Sequence, residues 1–291
     1  MALATALVLA GGPARVGAQP PGSDIWLAPL TVTPGGVEVG VGMNATNRPG
    51  YDNQPFFLSG GAFLYSAGDS AGTDVWRWDG AAGRAAPVTR TPESEYSPTP
   101  LPGGAPGFCA VRVEADSTQR LWRFDMDGGN ARPLMTDVDS VGYFEWLDDT
   151  TLAIFVVGDP HTLRIVDVPS QRETVVARDI GRFIRCVPGT RDVAFTLRNP
   201  DDTHRFFVFS REAEAPAWLI DAPGSGQDAV WAGDVLLATN DTEILMARPA
   251  TGGTWQRLAD VRGWGPASAT RLAVSPALDR IAVVCAEPAS P

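Results

Sequence analysis

The chain contains no lysine: each of its 23 basic residues is an arginine. That absence removes Schiff-base and lysine-base chemistry. Histidine is nearly absent, so a Ser-His-Asp site would have to use His161 or His204. Three cysteines, Cys109, Cys186 and Cys285, cannot all pair and show no metal-ligand spacing. They are expected to be buried, unpaired thiols. No stretch of about 12 residues carries a clean 3.6-residue period, and no run is long and apolar enough to span a bilayer. Positive charge is also scarce. With a net charge of −11 and no basic stripe, the chain is a poor partner for nucleic acid. No glycine-rich phosphate loop, H-E-x-x-H or calcium-loop motif occurs. No catalytic residue, metal or cofactor is therefore expected.

What the chain has in quantity is turn chemistry and large aromatics: 31 Gly, 25 Pro, 9 Trp and 12 Phe among 291 residues. Residues 93–137 display one unit in full. Residues 108–113 alternate, residues 121–125 alternate after an acidic turn, and a Gly-Gly turn leads to a short run at 132–135. Strands at this spacing make an antiparallel meander. The most apolar run of the unit recurs from Phe63, Phe108, Leu152, Val193, Val235 and Ile281, at intervals of 41 to 46 residues. A second strand follows most of them (VWRWD from Val75, LWRFD from Leu121, LRIVD from Leu163, FFVFS from Phe206, EILMA from Glu243), then a fainter third.

A period of this length with four short strands predicts propeller blades. Six runs predict an all-β, six-bladed propeller of four-stranded antiparallel blades. The sixth run lies too near the C-terminus to carry its outer strands. Residues 24–28 (DIWLA) and 37–41 (VEVGV) match those outer strands, so the N-terminus is expected to complete the last blade and close the ring. The aromatics Trp76, Trp78, Trp122, Phe124, Phe207 and Phe209 are expected to wedge between blades. Residues 1–18 read as an export signal, with an apolar run at 3–10 and a small-residue cleavage site at Val16-Gly17-Ala18, although no positive charge precedes the run. Residues 19–291 are then one domain, expected to be monomeric.

Residues 97–104 (SPTPLPGG), followed by LWRFDMDGG at 121–129, resemble the WD40-like repeat of the TolB family. That repeat has a Ser-Pro-Asp-Gly turn between inner strands, then a Trp-bearing strand and a Gly-Gly turn. Ser275-Pro276 with Asp279, Pro188-Gly189, Leu147-Asp148-Asp149 and Ser59-Gly60-Gly61 are worn versions of the same turn. The resemblance spans about residues 20–287 and implies a propeller without the α/β domain that TolB proteins carry at their N-terminus. The hydrolase domain that follows similar propellers in prolyl-oligopeptidase-type enzymes has no counterpart in the chain either.

Loops that enter each inner strand should meet at a channel mouth. They supply Asp52, Asn53 and Gln54, then Glu93, Glu95 and Tyr96, then Asp139, Arg182, Arg185, Gln227 and Asp228. Carboxylates gather on the first three blades and guanidinium groups on the fourth, which suits a peptide or protein partner. The same residues also suit ordinary solvated or capping positions. His161 and His204 fall in corresponding loops, where solvated turns are the commoner use of Asp-Pro-His and Asp-Asp-Thr-His. The expected function is an exported, periplasmic-type binding or scaffold propeller of the cell envelope. The alternative, a six-bladed metal-dependent hydrolase or lactonase, would draw its ligands from Glu95, Asn53 and Asp228.

Overall fold

The computed structural model describes residues 22–224 and 226–286; the expected export signal lies outside them. Among the described residues are 25 strands, four short 3-10 turns and no α-helix. No helix there is long and apolar enough to cross a membrane.

The chain opens with β1 (Ser23–Thr33), β2 (Gly36–Val39) and β3 (Met43–Asn44). Five meanders follow. They are β4 (Tyr51–Phe57), β5 (Phe63–Asp69), β6 (Gly72–Asp79) and β7 (Arg84–Pro87); then β8 (Ser94–Pro100), β9 (Phe108–Val113), β10 (Gln119–Phe124) and β11 (Arg132–Pro133). Next come β12 (Val141–Trp146), β13 (Thr151–Val156), β14 (Thr162–Asp167) and β15 (Arg172–Arg178). The fourth meander is β16 (Ile180–Cys186), β17 (Val193–Arg198), β18 (His204–Phe209) and β19 (Ala217–Asp221). The fifth is β20 (Ala229–Ala232), β21 (Val235–Asn240), β22 (Glu243–Ala247) and β23 (Gln256–Asp260), and the chain ends with β24 (Ser268–Val274) and β25 (Arg280–Ala286).

Four meanders are four-stranded sheets by themselves, while β4 to β7 belong to a nine-stranded sheet that also holds β24, β25, β1, β2 and β3. Within that sheet β1 pairs antiparallel with β25, from Ser23 opposite Ala286 to Pro29 opposite Arg280. The second half of β1 pairs with β2, from Leu30 opposite Val39 to Thr33 opposite Gly36. The path β24-β25-β1-β2 thus repeats the four-strand pattern with two strands from the start of the chain. It meets β4 through one parallel pair, Ser23 with Tyr51. This is the architecture of a β-propeller.

The second strand of each unit explains why the repeat is visible in the sequence. β5, β9, β13, β17, β21 and β25 are buried almost end to end, because neighbouring sheets cover both of their faces. Each sends alternate residues to two different apolar clusters. Leu152, Ile154 and Val156 pack toward the preceding sheet, while Ala153 and Phe155 pack toward the next. Ile281, Val283 and Cys285 pack on β21 and β22, while Ala282 and Val284 pack on β5. The fourth strands face solvent, as the exposed β15 shows.

Of the six aromatics expected between sheets, Trp78 and Phe124 are buried, stacked on Phe63 and Phe108 at 5.1 and 5.0 Å. Trp76, Trp122, Phe207 and Phe209 are only half-buried. Arg48 and Arg112 guanidinium groups cover the first two, at 5.1 and 4.4 Å from the rings.

Three local expectations need correction. Ser97-Pro98 is not a turn: it lies inside β8, at a bulge where Ser97 has φ 55°. The turn falls at Pro102–Gly104 instead, where Gly103 and Gly104 supply the positive φ. Ser275 does hold a turn, its Oγ donating to Asp279 Oδ1 at 2.7 Å and accepting from Arg280 N at 3.1 Å. The strand expected at 37–41 stops at Val39, beyond which Val41 is exposed. Cys109 and Cys285 are buried free thiols, but Cys186 is only half-buried.

Candidate functional site

The first strands, β4, β8, β12, β16, β20 and β24, lie side by side around one axial channel. The starts of β16 and β24 and the residues before β20 line one cavity, the near end of the channel, and the later residues of β4, β12, β16, β20 and β24 line another, the far end. Five of the six carry a bulge: around Gln54, Ser97, Gly142, Gly181 to Phe183, and Thr270. A bulge turns side chains out of strict alternation. It brings polar groups from neighbouring sheets into the channel.

Toward the near end, Asp228 is almost fully buried and forms an ion pair with Arg182. Arg182 also donates from Nη2 to the Thr270 carbonyl at 3.3 Å, and its backbone N–H donates to Gln227 Oε1 at 3.0 Å. Arg271 lies behind them, its Nε 3.9 Å from Asp228 Oδ1 and its Nη2 3.5 Å from the Tyr143 hydroxyl. Its guanidinium rests 5.1 Å from the Tyr143 ring centre. Tyr51 joins this group, its phenol pushed up to about 12 mainly by burial. A polar cavity of about 370 Å³ opens beside it between Arg182, Gln227, Asp241 and Thr270.

The residues expected at the mouth divide into two sets. Asn53, Glu93 and Gln227 are half-buried, Asp139 is exposed, and Arg182 is half-buried at the channel wall. Asp52 and Glu95 are not presented at all. Asp52 is fully buried, held by Arg48 Nε at 2.9 Å and Nη2 at 2.8 Å. Burial pushes its carboxyl up to about 6, against the pull of Arg48. Glu95 is fully buried and accepts from Thr89 at 2.9 Å, Thr91 at 2.5 Å and Arg112 Nε at 3.0 Å. Burial raises its pKa, with those donors opposing. Both carboxylates are spent on arginines beside them, Asp52 on Arg48 and Glu95 on Arg112. Tyr96 uses its hydroxyl to accept from Thr73 at 3.2 Å. Arg185 lies further down β16 and points into the far half of the channel, 3.6 Å from Glu145 Oε2.

The three ligands of the metal-hydrolase alternative are all engaged. Glu95 and Asp228 hold arginines, and Asn53 Oδ1 accepts from the Gln54 N–H at 2.8 Å. No cluster of three or more His, Cys, Asp or Glu suited to a metal occurs among the described residues. His161 accepts from Gly158 N–H at 3.1 Å in its own turn and packs on Phe155. His204 is buried, which lowers its pKa.

Arg271, Tyr143, Glu145 and Tyr51 are not legible in the sequence as channel residues. Each sits in a bulged first strand, where polar and apolar residues do not alternate. The one available signal is position: Arg271 precedes the Ser275 turn much as Glu145 precedes the Asp148 turn.

No protein-family model matches the chain, and no curated protein sequence matches it. Solved structures do. A provisionally named TolB from Agrobacterium tumefaciens matches with a TM-score of 0.71 at 12% identity, over 91% of this chain and 99% of that one. TolB from Acinetobacter baumannii matches at 0.56 and 8% identity, over 91% and 65% respectively. A chain of a nidogen/laminin complex matches at 0.60 and 11% identity, over 91% and 98%. The fold is therefore that of a TolB-like propeller.

Proposed function

We propose that the chain is a closed six-bladed propeller that acts without catalysis, binding a protein or peptide partner of the cell envelope at the near-end mouth of its channel. The ring reading is supported by the cyclic order of the apolar clusters. Each lies between two successive four-strand units, and one joins β1 and β25 to β5. Export is supported by the apolar run at residues 3–10 and the Val16-Gly17-Ala18 site, which make residues 19–291 the mature domain.

The observation that carries the binding reading is the group of Arg182, Asp228, Arg271 and Tyr143, where loops and first strands from several sheets converge. Asn53, Glu93, Asp139 and Gln227 form its rim, while Asp52 and Glu95 stiffen the wall behind. Arg182 is the residue through which a partner's carboxylate or backbone carbonyl would be held, since its Nε is buried with no acceptor.

One experiment tests the whole reading. The full chain with a C-terminal tag is expressed in a Gram-negative host, recovered from the periplasmic fraction and used to capture envelope proteins. The expected product begins at Gln19 and retains a partner that the folded Arg182→Ala variant loses at least about tenfold. Equal retention by both forms would put the binding surface elsewhere, and recovery only from the cytoplasm would remove the envelope from the account.

A further inference from the structure

The far half of the channel holds a second feature that the mouth does not use. A cavity of about 230 Å³ opens there, walled by Phe56, Phe57, Val230, Trp231 and Val274. Arg185 and Glu145 bring the charge to it. A much narrower cavity, about 30 Å³, adjoins it around Tyr143, Arg271 and Ser97, and Arg185 lines both. Arg185 thus stands between an apolar chamber and a polar slot.

Donor accounting shows what the chamber lacks. A guanidinium carries five N–H donors. Arg185 places one within hydrogen-bond distance, on the Ile184 carbonyl at 2.9 Å, and Glu145 stands off at 3.6 Å. Arg271 makes one long bond, to Tyr143 at 3.5 Å, and sits 3.9 Å from Asp228, which Arg182 already holds. The Trp231 indole N–H and the Ser97 hydroxyl are buried without partners, one on each cavity. Donors outnumber acceptors: the Trp231 and Ser97 groups are buried without partners, which is costly, and the half-buried Arg185 has donors to spare. Glu145 supplies some of the missing acceptance, but no more than one carboxylate's worth.

The occupant that satisfies this site is an anion with a flat, two-oxygen head, because guanidinium donors match a carboxylate in pairs. A multiply charged anion would meet Glu145 and Asp228 unfavourably. The apolar walls require a body, not a bare ion. A dry cavity of roughly 150 Å³ accepts a benzene molecule, so the larger chamber accommodates a phenyl or branched alkyl group with room for its linker. We propose that the far end of the channel binds a monocarboxylate with a small apolar body, its carboxylate on Arg185 with Arg271 behind, its body against Phe56, Val230 and Trp231. Two sources carry that chemistry: a free organic acid, and the C-terminal residue of a peptide.

Titration calorimetry on the full chain tests this with phenylacetate, N-acetylphenylalanine and N-acetyl-Gly-Gly-Phe, each beside its uncharged amide. The expected result is saturable one-to-one binding of at least one acid, with its amide weaker by at least about tenfold. Tightest binding of phenylacetate identifies a free-acid site, and tightest binding of the tripeptide acid identifies a peptide C-terminus. Arg185→Met should weaken the acid by a similar factor while keeping the melting temperature. Should that variant fail to fold, the acid-amide comparison on the wild-type chain decides alone. Equal binding of acid and amide, no heat with any probe at millimolar concentration, or phosphate binding as tightly as phenylacetate would overturn the proposal.

Discussion

Asp52 and Glu95 show how a residue's chemistry depends on which side of a strand it occupies. In the sequence both look like rim carboxylates; in the fold both point away from solvent and hold arginines. For Asp52 the sign of the pH effect follows from its folded pKa of about 6, raised from 3.8. The folded chain binds this proton more tightly than the unfolded chain does. Its contribution to stability is therefore complete below about pH 4 and is lost as the pH climbs to about 6. A carboxyl held that far above its ordinary value corresponds to roughly 3 kcal/mol. Urea unfolding of wild type and Asp52→Asn from pH 4 to pH 7 should show the difference moving toward the variant by about 2–3 kcal/mol. A difference that stays constant would mean that Asp52 is ionised in the fold throughout. For Glu95 the effect is simpler. Glu95→Ala leaves the buried Arg112 without its carboxylate, 3.0 Å away in the wild type. A loss of about 3–5 kcal/mol in stability is expected by denaturant melting. An unchanged midpoint would return Glu95 to the surface role its sequence context suggests.

At the scale of strands, legibility tracks burial. The second strands are covered on both faces, so they read as unbroken apolar runs, and the starts at Phe63, Phe108, Val193 and Val235 coincide with those of β5, β9, β17 and β21. The first strands do not read at all. They line a polar channel on one side, carry prolines such as Pro55 and Pro98, and are interrupted by bulges. Period-two alternation fails across a bulge, so nothing in SEYSPTP or SATRLAV tells which polar residue faces inward. The channel's working groups (Arg271, Tyr143, Glu145) are hidden for that reason. Arg182 and Asp228 stand out in the sequence, but as opposed rim charges and not as the ion pair they form. The outer strands pose a different difficulty: β11 and β7 are short and exposed, with little apolar content to mark them.

At the scale of the whole molecule, the two ends of the described chain meet in one ladder. Ile25 and Val284 lie at opposite ends of the sequence and face each other in the β1–β25 ladder. Ile25 and Leu27 are buried against β5 and β6, and Ala28 and Leu30 in the cluster that reaches β21 and β22. Burial of each larger side chain contributes about 1.5–3 kcal/mol. A propeller closed as proposed would have no free inner edge to template association, and its channel residues would be held from every side. That rigidity is what would let Arg182 and Arg185 bind without first being ordered. Hydrogen exchange read residue by residue measures the closure directly. The account predicts that the amides of β1 from Ile25 to Ala28 exchange only by global unfolding, with the same protection as those of β25. Fast exchange along β1, at the rate of a frayed terminus, beside slow exchange in β5 and β13, would contradict it.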